Sequence, residues 1–348
     1  MNVELLRTLV EGRGIPGREE AIRDIVRREM EPLVDEVTTD TMGNVVCEKK
    51  GNGKKRLMIA AHMDEIGFIV KFVDDKGFVR LQPLGGFDPR QLFAQRVVVT
   101  TSNGEALPGV LAYGSKPVHM LTDAEKAQAP QLDTFFVDLG LSADSVKEKV
   151  RVGDMVTMDR KMERCGDCFT CKCMDDRVGV YVMIEAVRAL KKHEVDVYAV
   201  ATVQEEVGLR GAETAAYHIQ PDIGVALDVT IANDFPGPPE QDAVTKLGAG
   251  AAIKIMDGSL ICNPKLVEHF RRIAEKKRIP HQMEVLPRGG TDAGAIQRSR
   301  AGTASITLSV PTRYIHTVNE MVHASDVQAA VDLLLAYISD AHTGDYTL

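Results

Sequence analysis

The sequence predicts an α/β fold: a sheet covered by helices, interrupted by a β-rich, barrel-like insert. Three features of its 348 residues lead there. The short, wholly apolar run Leu57–Ala61 has the look of a strand covered on both faces. From Asp175 onward, helical and strand patterns alternate, as they do in a sheet flanked by helices. Between about Gly67 and Arg164 the texture changes to short alternating runs separated by Gly, Pro, Asn and Asp. The expected organisation is residues 1–66 and 165–348 as two parts of one domain, with 67–164 inserted between them.

In chain order, Met1–Gly14 reads as a short amphipathic helix, ended by Gly12, Gly14, Pro16 and Gly17. A second helix carries Ile22, Ile25, Val26 and Met30 on one face. Val34–Thr38 and Asn44–Glu48 read as strands around a Met42-Gly43 turn. The insert is expected to hold strands at Gly67–Val73, Phe78–Leu81, Arg96–Thr101, Gly109–Tyr113, Phe135–Asp138 and Asp154–Met158, with one helix at Ser142–Val150. A long helix, Val178–Lys192, then leads to strand Val195–Val203, helix Leu209–Tyr217 and strand Ile223–Leu227. The alternation continues through Ala251–Ile255, Pro264–Lys277, His281–Leu286, Thr291–Ser299 and Ser305–Val310 to a last helix, Ser325–His342.

A net charge of −8 repels phosphate backbones, so nucleic acid is not an expected partner. The same balance suits a protein that gathers carboxylates around cations. No apolar stretch approaches the ~20 residues of a membrane span, and none is expected. The first residues lack the basic and apolar regions of a secretory leader, so a cytoplasmic location with six reduced cysteines is expected.

Potential ligands fall at strand ends. His62 ends Leu57–Ala61, Glu205 and Glu206 follow Val195–Val203, and Asp228 ends Ile223–Leu227. His316 follows Ser305–Val310, and Asp175 and Asp176 open a helix. The carboxyl ends of strands form the ligand crevice of open α/β sheets. Imidazole with carboxylate suits Zn, Co or Mn better than Ca. Two histidines and three carboxylates suffice for a pair of ions about 3.5–4 Å apart sharing one bridging carboxylate. His62 and Asp228 would serve one ion, Glu206 and His316 the other, and an aspartate of the Asp175-Asp176 pair would bridge. Asp64, on the same side of the strand as His62, is placed to accept the second imidazole N–H. One of Glu205 and Glu206 can bind metal while the other acts as a base. Singly, each has a plainer explanation as turn former, helix-start acid or solvated group. Gly290, Thr291 and Asp292 read either as a glycine turn with an N-cap or as a pocket wall. Cys165, Cys168, Cys171 and Cys173 invite comparison with zinc or iron–sulfur sites, but their spacing is not a standard four-ligand pattern.

Ala61-His62-Met63-Asp64-Glu65, Met174-Asp175-Asp176-Arg177-Val178-Gly179, Gln204-Glu205-Glu206-Val207-Gly208-Leu209-Arg210-Gly211, Asp228-Val229-Thr230, Gly289-Gly290-Thr291-Asp292-Ala293 and Tyr314-Ile315-His316 occur in that order. Together they resemble the tetrahedral (TET) aminopeptidases, dinuclear metallopeptidases that include glutamyl, leucyl and deblocking enzymes. The resemblance spans nearly the whole chain. It implies a catalytic α/β domain with a dimerisation insert, two divalent ions (Zn or Co), and dimers assembling into hollow dodecamers. It also implies cleavage of the N-terminal peptide bond of short peptides by a metal-bridging water. Carried onto this chain, His62, Asp175, Glu206, Asp228 and His316 would be ligands. Glu205 would be the general base, Asp64 the orienter of His62, and Asp175 the bridge, through an unusual cis peptide to Asp176. The cysteine-rich run before Asp175 departs from the family pattern. Alternatives from other classes are a dinuclear deacylase or carboxypeptidase, a glycoside hydrolase working with paired carboxylates, and a redox or metal-storage protein built on the cysteines. An absence of Trp and only 5% aromatic residues argue against sugar stacking.

Overall fold

A computed structural model describes residues 1–348, the side chain of Val118 excepted. The chain forms two compact units, one of Met1–Glu65, Lys161–Ile315 and Asn319–Leu348, the other of Ile66–Arg160 and His316–Val318. The first unit opens with helices α1 (Val3–Glu11) and α2 (Glu20–Met30) and strands β1 (Glu36–Thr39), β2 (Val45–Lys49) and β3 (Arg56–His62). The Asn2 side chain caps α1 by accepting the Leu5 N–H.

The second unit is a closed barrel of β4 (Gly67–Val73), β5 (Val79–Leu84), β6 (Gln95–Thr100), β7 (Ala106–Tyr113), β8 (Phe135–Asp138) and β9 (Met155–Met158). Its strands follow one another around the barrel as β4-β5-β8-β7-β6-β9. Alternation along the strands fills the interior: Val97 and Val99 of β6 and Phe135 and Val137 of β8 share one buried cluster. Two helices accompany it, α3 (Asp123–Lys126) and α4 (Ala143–Lys149). The first of these is not legible as a helix in the sequence, because a single turn carries no periodicity.

The first unit resumes with β10 (Glu163–Cys165), β11 (Cys168–Cys171), α5 (Met174–Ala189), β12 (Asp196–Thr202), α6 (Arg210–Ile219), β13 (Ile223–Ile231) and β14 (Ala251–Met256). It continues through α7 (Pro264–Lys277), β15 (His281–Val285), α8 (Asp292–Arg298), β16 (Ala304–Arg313), β17 (Glu320–His323) and α9 (Ala324–Asp340). Eleven strands make one sheet, ordered β1-β2-β12-β3-β13-β16-β17-β11-β10, with β14 and β15 branching from β16. Its centre, β12-β3-β13-β16, is parallel. The apolar run of β3 has the expected cause. Leu57, Ile59 and Ala61 join the core on one face, while Met58 and Ala60 join a second cluster on the other.

The structure lengthens several expected strands, among them β5 to Leu84 and β7 back to Ala106, and adds three. The strand expected to stop at Leu227 runs to Ile231, and its neighbour runs to Arg313, because the two remain paired out to Ile231↔Thr312. The polar Asp228 and Thr230 looked like a strand end, but each lies inside a ladder that satisfies its backbone. β10, β11 and β17 are short strands at one end of the sheet, whose polar residues hid them. Ile59→Ala, which hollows the fully buried middle of β3, is expected to cost about 2–5 kcal/mol. A urea-unfolding midpoint that stayed put would contradict this placement of the core.

Candidate metal centre

The crevice originates in the pairing of β3. It stays paired with β12 as far as Thr202↔His62, but with β13 only as far as Ala226↔Ala60. The chain lays β12 on one side of β3 and β13 on the other, so a switch point opens at these carboxyl ends. His62 is the last residue of β3, and Glu205 and Glu206 follow β12. Asp228 lies within β13, two residues past its last pairing with β3, and not at a strand end as the sequence suggests.

At the start of α5, Asp175 and Asp176 have non-helical backbone angles and the peptide bond between them is cis. Their carboxylates have different duties. Asp176 is fully buried and accepts the His62 N–H at 3.2 Å and the Gly179 N–H at 3.0 Å. Gly179 leaves room for this, since a Cβ there would lie 2.3 Å from Asp176 Oδ1. Asp175 Oδ1 instead lies 3.0 Å from His62 Nε2. Two overlapping groups of potential ligand atoms, each within 4.8 Å, result: His62, Glu205 and Asp228, and His62, Asp175 and Glu206.

The loop carrying Glu205 and Glu206 is fixed from several directions. Gln204 and Leu209 adopt left-handed φ angles of 55° and 59°. The Glu205 carbonyl accepts the N–H groups of Gly208 and Leu209 at 2.8 and 2.9 Å. Gly211 packs so closely that a Cβ would meet Asn44 Oδ1 at 2.3 Å and the Val203 carbonyl at 2.4 Å. Buried Asn44 accepts the Val203 N–H at 3.0 Å and donates to the Gly211 carbonyl at 3.0 Å. The Asp64 carboxylate accepts the N–H groups of Glu205 and Glu206, each at 3.1 Å. Asp64 was expected to hold His62 by its carboxylate. In the structure the Asp64 backbone carbonyl is the nearer partner of His62 Nδ1, at 3.1 Å, with the carboxylate at 3.6 Å.

Negative charge is concentrated here beyond what the one imidazole offsets. Burial, then the neighbouring charge of Asp228, pushes the Asp176 carboxyl well up. Burial raises Glu205 strongly against the pull of His62, with the charges of Asp228, Glu206 and Asp292 adding to it. Burial and Asp175 do the same to Asp228. Burial alone would lower His62, but Glu205, Asp175 and Asp64 carry it well above the usual imidazole range. Carboxylates crowded at this depth are the chemistry of a cation site.

Of the pocket residues expected from the sequence, Gly290 is exposed, whereas Thr291 is buried with its hydroxyl between Asp257 (3.1 Å) and Thr307 (2.7 Å). Asp292 is buried, and Thr202 Oγ1 donates to its Oδ2 at 2.5 Å. Among the described residues nothing pairs with its Oδ1, and burial pushes its carboxyl up to about 6. His316, at a left-handed φ of 61°, belongs to the barrel's unit, where a Cβ on Gly86 would sit 3.2 Å from its Nδ1. Two buried acids escaped sequence reasoning. Glu19 accepts the N–H groups of Gly17 and Gln204, and burial with the nearby Asp64 charge raises it to about 7. Glu320 accepts the Asp175 N–H at 3.0 Å. No local pattern marks either one, since the contact that ties each to the site is with chain-distant backbone, Gln204 for Glu19 and Asp175 for Glu320.

An α/β sheet whose switch point gathers imidazole and carboxylates is the setting of a metal-dependent enzyme. A family model for M42 glutamyl aminopeptidase matches residues 43–333. The chain is similar to a lysyl aminopeptidase of Pyrococcus furiosus, 38% identical over 99% of both chains. A solved aminopeptidase from the archaeon Desulfurococcus kamchatkensis is 44% identical, covers 97% of this chain and 94% of its own, and superposes with a TM-score of 0.92. A Pyrococcus horikoshii TET1 peptidase, described as assembling into a tetrahedron or a large octahedral shell, is 34% identical, with 97% and 98% covered and a TM-score of 0.86. The chain belongs to the M42 glutamyl aminopeptidase family. It is a hydrolase that acts as an aminopeptidase and uses divalent metal ions.

Because Asp64 holds the two glutamates through their own N–H groups, Asp64→Ala is expected to lower kcat about 10–100-fold while the protein stays folded. Steady-state kinetics beside circular dichroism check this, and an unchanged kcat would show that the clamp is dispensable.

Proposed function

We propose that this chain removes the N-terminal residue of short peptides with two metal ions, Zn or Co. The observation that carries this is the pair of overlapping His and carboxylate groups around His62. His62 and Asp228 would hold one ion, Glu206 and His316 the other, and Asp175 would bridge. His316 rests on the Tyr314-Ile315-His316 motif. The choice of Asp175 over Asp176 is supported by Asp176 being committed to the N–H groups of His62 and Gly179. When bound, two such ions acidify a water and polarise the scissile carbonyl.

The protein's own groups do the rest. Glu205 takes the proton of the attacking water and delivers it to the leaving amine. Asp64 keeps Glu205 and Glu206 in place. The substrate's free α-amine binds a metal ion or a nearby carboxylate, which limits cleavage to the first residue, and the motif carrying Gly290, Thr291 and Asp292 supports the pocket from below, with Asp292 held by Thr202. The barrel, within 67–164, would serve as the dimerisation insert, with dimers assembling into a dodecamer. The shells formed by the Pyrococcus horikoshii relative support a closed assembly. A cytoplasmic location, expected from the sequence, goes with this function.

Metal-stripped protein given back Zn or Co should hydrolyse aminoacyl-anilides and not N-acylated amino acids. The reverse preference would make it a deacylase. Glu205→Gln should retain both ions by elemental analysis and lose about 10²–10⁴-fold in turnover, and full activity would sink the base assignment.

A further inference from the structure

We propose that Cys165 and Cys168 form a thiol–disulfide exchange site that takes small-molecule disulfides. The two residues are direct cross-strand partners in the β10–β11 hairpin, joined only by Gly166 and Asp167. Gly166, at a φ of 63°, supplies the left-handed conformation that lets so short a turn close. Directly opposed residues of an antiparallel pair have Cα atoms about 4.5–5.5 Å apart, with side chains on the same face. That spacing lies inside the roughly 4.4–6.8 Å range a disulfide requires. β10 is the last strand of the sheet, which leaves Cys165 exposed and Cys168 half-buried.

The other four cysteines differ in kind. Cys47, Cys171, Cys173 and Cys262 are buried. Burial pushes the thiols of Cys47, Cys171 and Cys262 up to about 12 and that of Cys173 well above its ordinary value. Burial also raises Cys168. The exposed Cys165 is therefore the entry thiol and Cys168 the resolving one. Arg164 donates its Nε–H to the Gly166 carbonyl at 2.8 Å and lies 3.8 Å from the Asp167 carboxylate, which braces the turn and offsets the charge there.

The exchange has two steps. Cys165 as thiolate attacks one sulfur of the small disulfide, whose S–S bond breaks and releases one thiolate. Cys168 then attacks Cys165 Sγ, forming the protein disulfide and expelling the second small thiol. Two protein thiols lose two electrons and two protons, and the small disulfide gains them. The ring spans only two intervening residues, so its closure restricts the unfolded chain little. Excess thiol should reopen it, and the pair would rest as a dithiol wherever thiols are kept reduced.

The test is to treat full-length, metal-loaded protein with oxidised glutathione, quench with acid, alkylate, and map linkages by mass spectrometry without reduction. A single Cys165–Cys168 linkage is expected, with the four buried thiols alkylated only after unfolding. Cys168→Ser should stop at the mixed disulfide, with one glutathione on Cys165, and Cys165→Ser should form neither product. A linkage through a buried cysteine, a disulfide between copies, or a Cys168→Ser protein with no bound glutathione would overturn the proposal. So would a wild-type pair that retains a soft metal ion and ignores the disulfide.

Discussion

Asp64 accepts the backbone N–H groups of Glu205 and Glu206 with its carboxylate, and its own carbonyl meets the imidazole of His62. It thereby ties the end of β3 to the loop after β12 without occupying the position of a ligand. A fully buried carboxylate is costly to desolvate, and charge-assisted N–H bonds are the main offset available to it. Those bonds exist only when the loop has the left-handed turns at Gln204 and Leu209 and the close packing at Gly211. The geometry of the acids therefore depends on backbone conformation more than on the glutamates themselves.

The same device recurs around the site. Asp176 spends its oxygens on the N–H groups of His62 and Gly179, and Glu320 and Glu19 receive those of Asp175 and Gln204. One set of acids builds the cradle, leaving Asp175, Glu205, Glu206 and Asp228 around His62. Crowded like charges oppose folding, and the stability that tolerates them comes from the apolar centre of the sheet, where β3 is buried on both faces.

The cysteine-rich run before Asp175 divides in two. Cys171 and Cys173 point inward. Cys173 Sγ donates to Glu65 at 2.8 Å, beside a buried Lys172 that also binds Glu65 and the Gly12 carbonyl. Arg177, fully buried, donates to the carbonyls of Leu9 and Gly14. These contacts anchor the entry to α5 and so the position of Asp175. Cys165 and Cys168 stand apart at the hairpin tip, free of that structural duty.

The sequence by itself determined the α/β class, the barrel-like insert and the candidate ligands. Those signals are local: apolar runs for covered strands, alternation for the barrel, and acids and histidines beside them. Long motifs such as Gln204–Gly211 were legible because their glycines and acids answer to a tight turn whose rules are short-range. Tertiary structure alone decided the rest. It assigned Asp176 to the backbone and Asp175 to the imidazole, moved Asp228 inside a strand, turned Thr291 into the core, and recruited Glu19 and Glu320. Each of those outcomes depends on a partner far along the chain, from 34 residues for Thr291 and Asp257 to 185 for Glu19 and Gln204, and no local pattern encodes which of two adjacent carboxylates will meet such a partner.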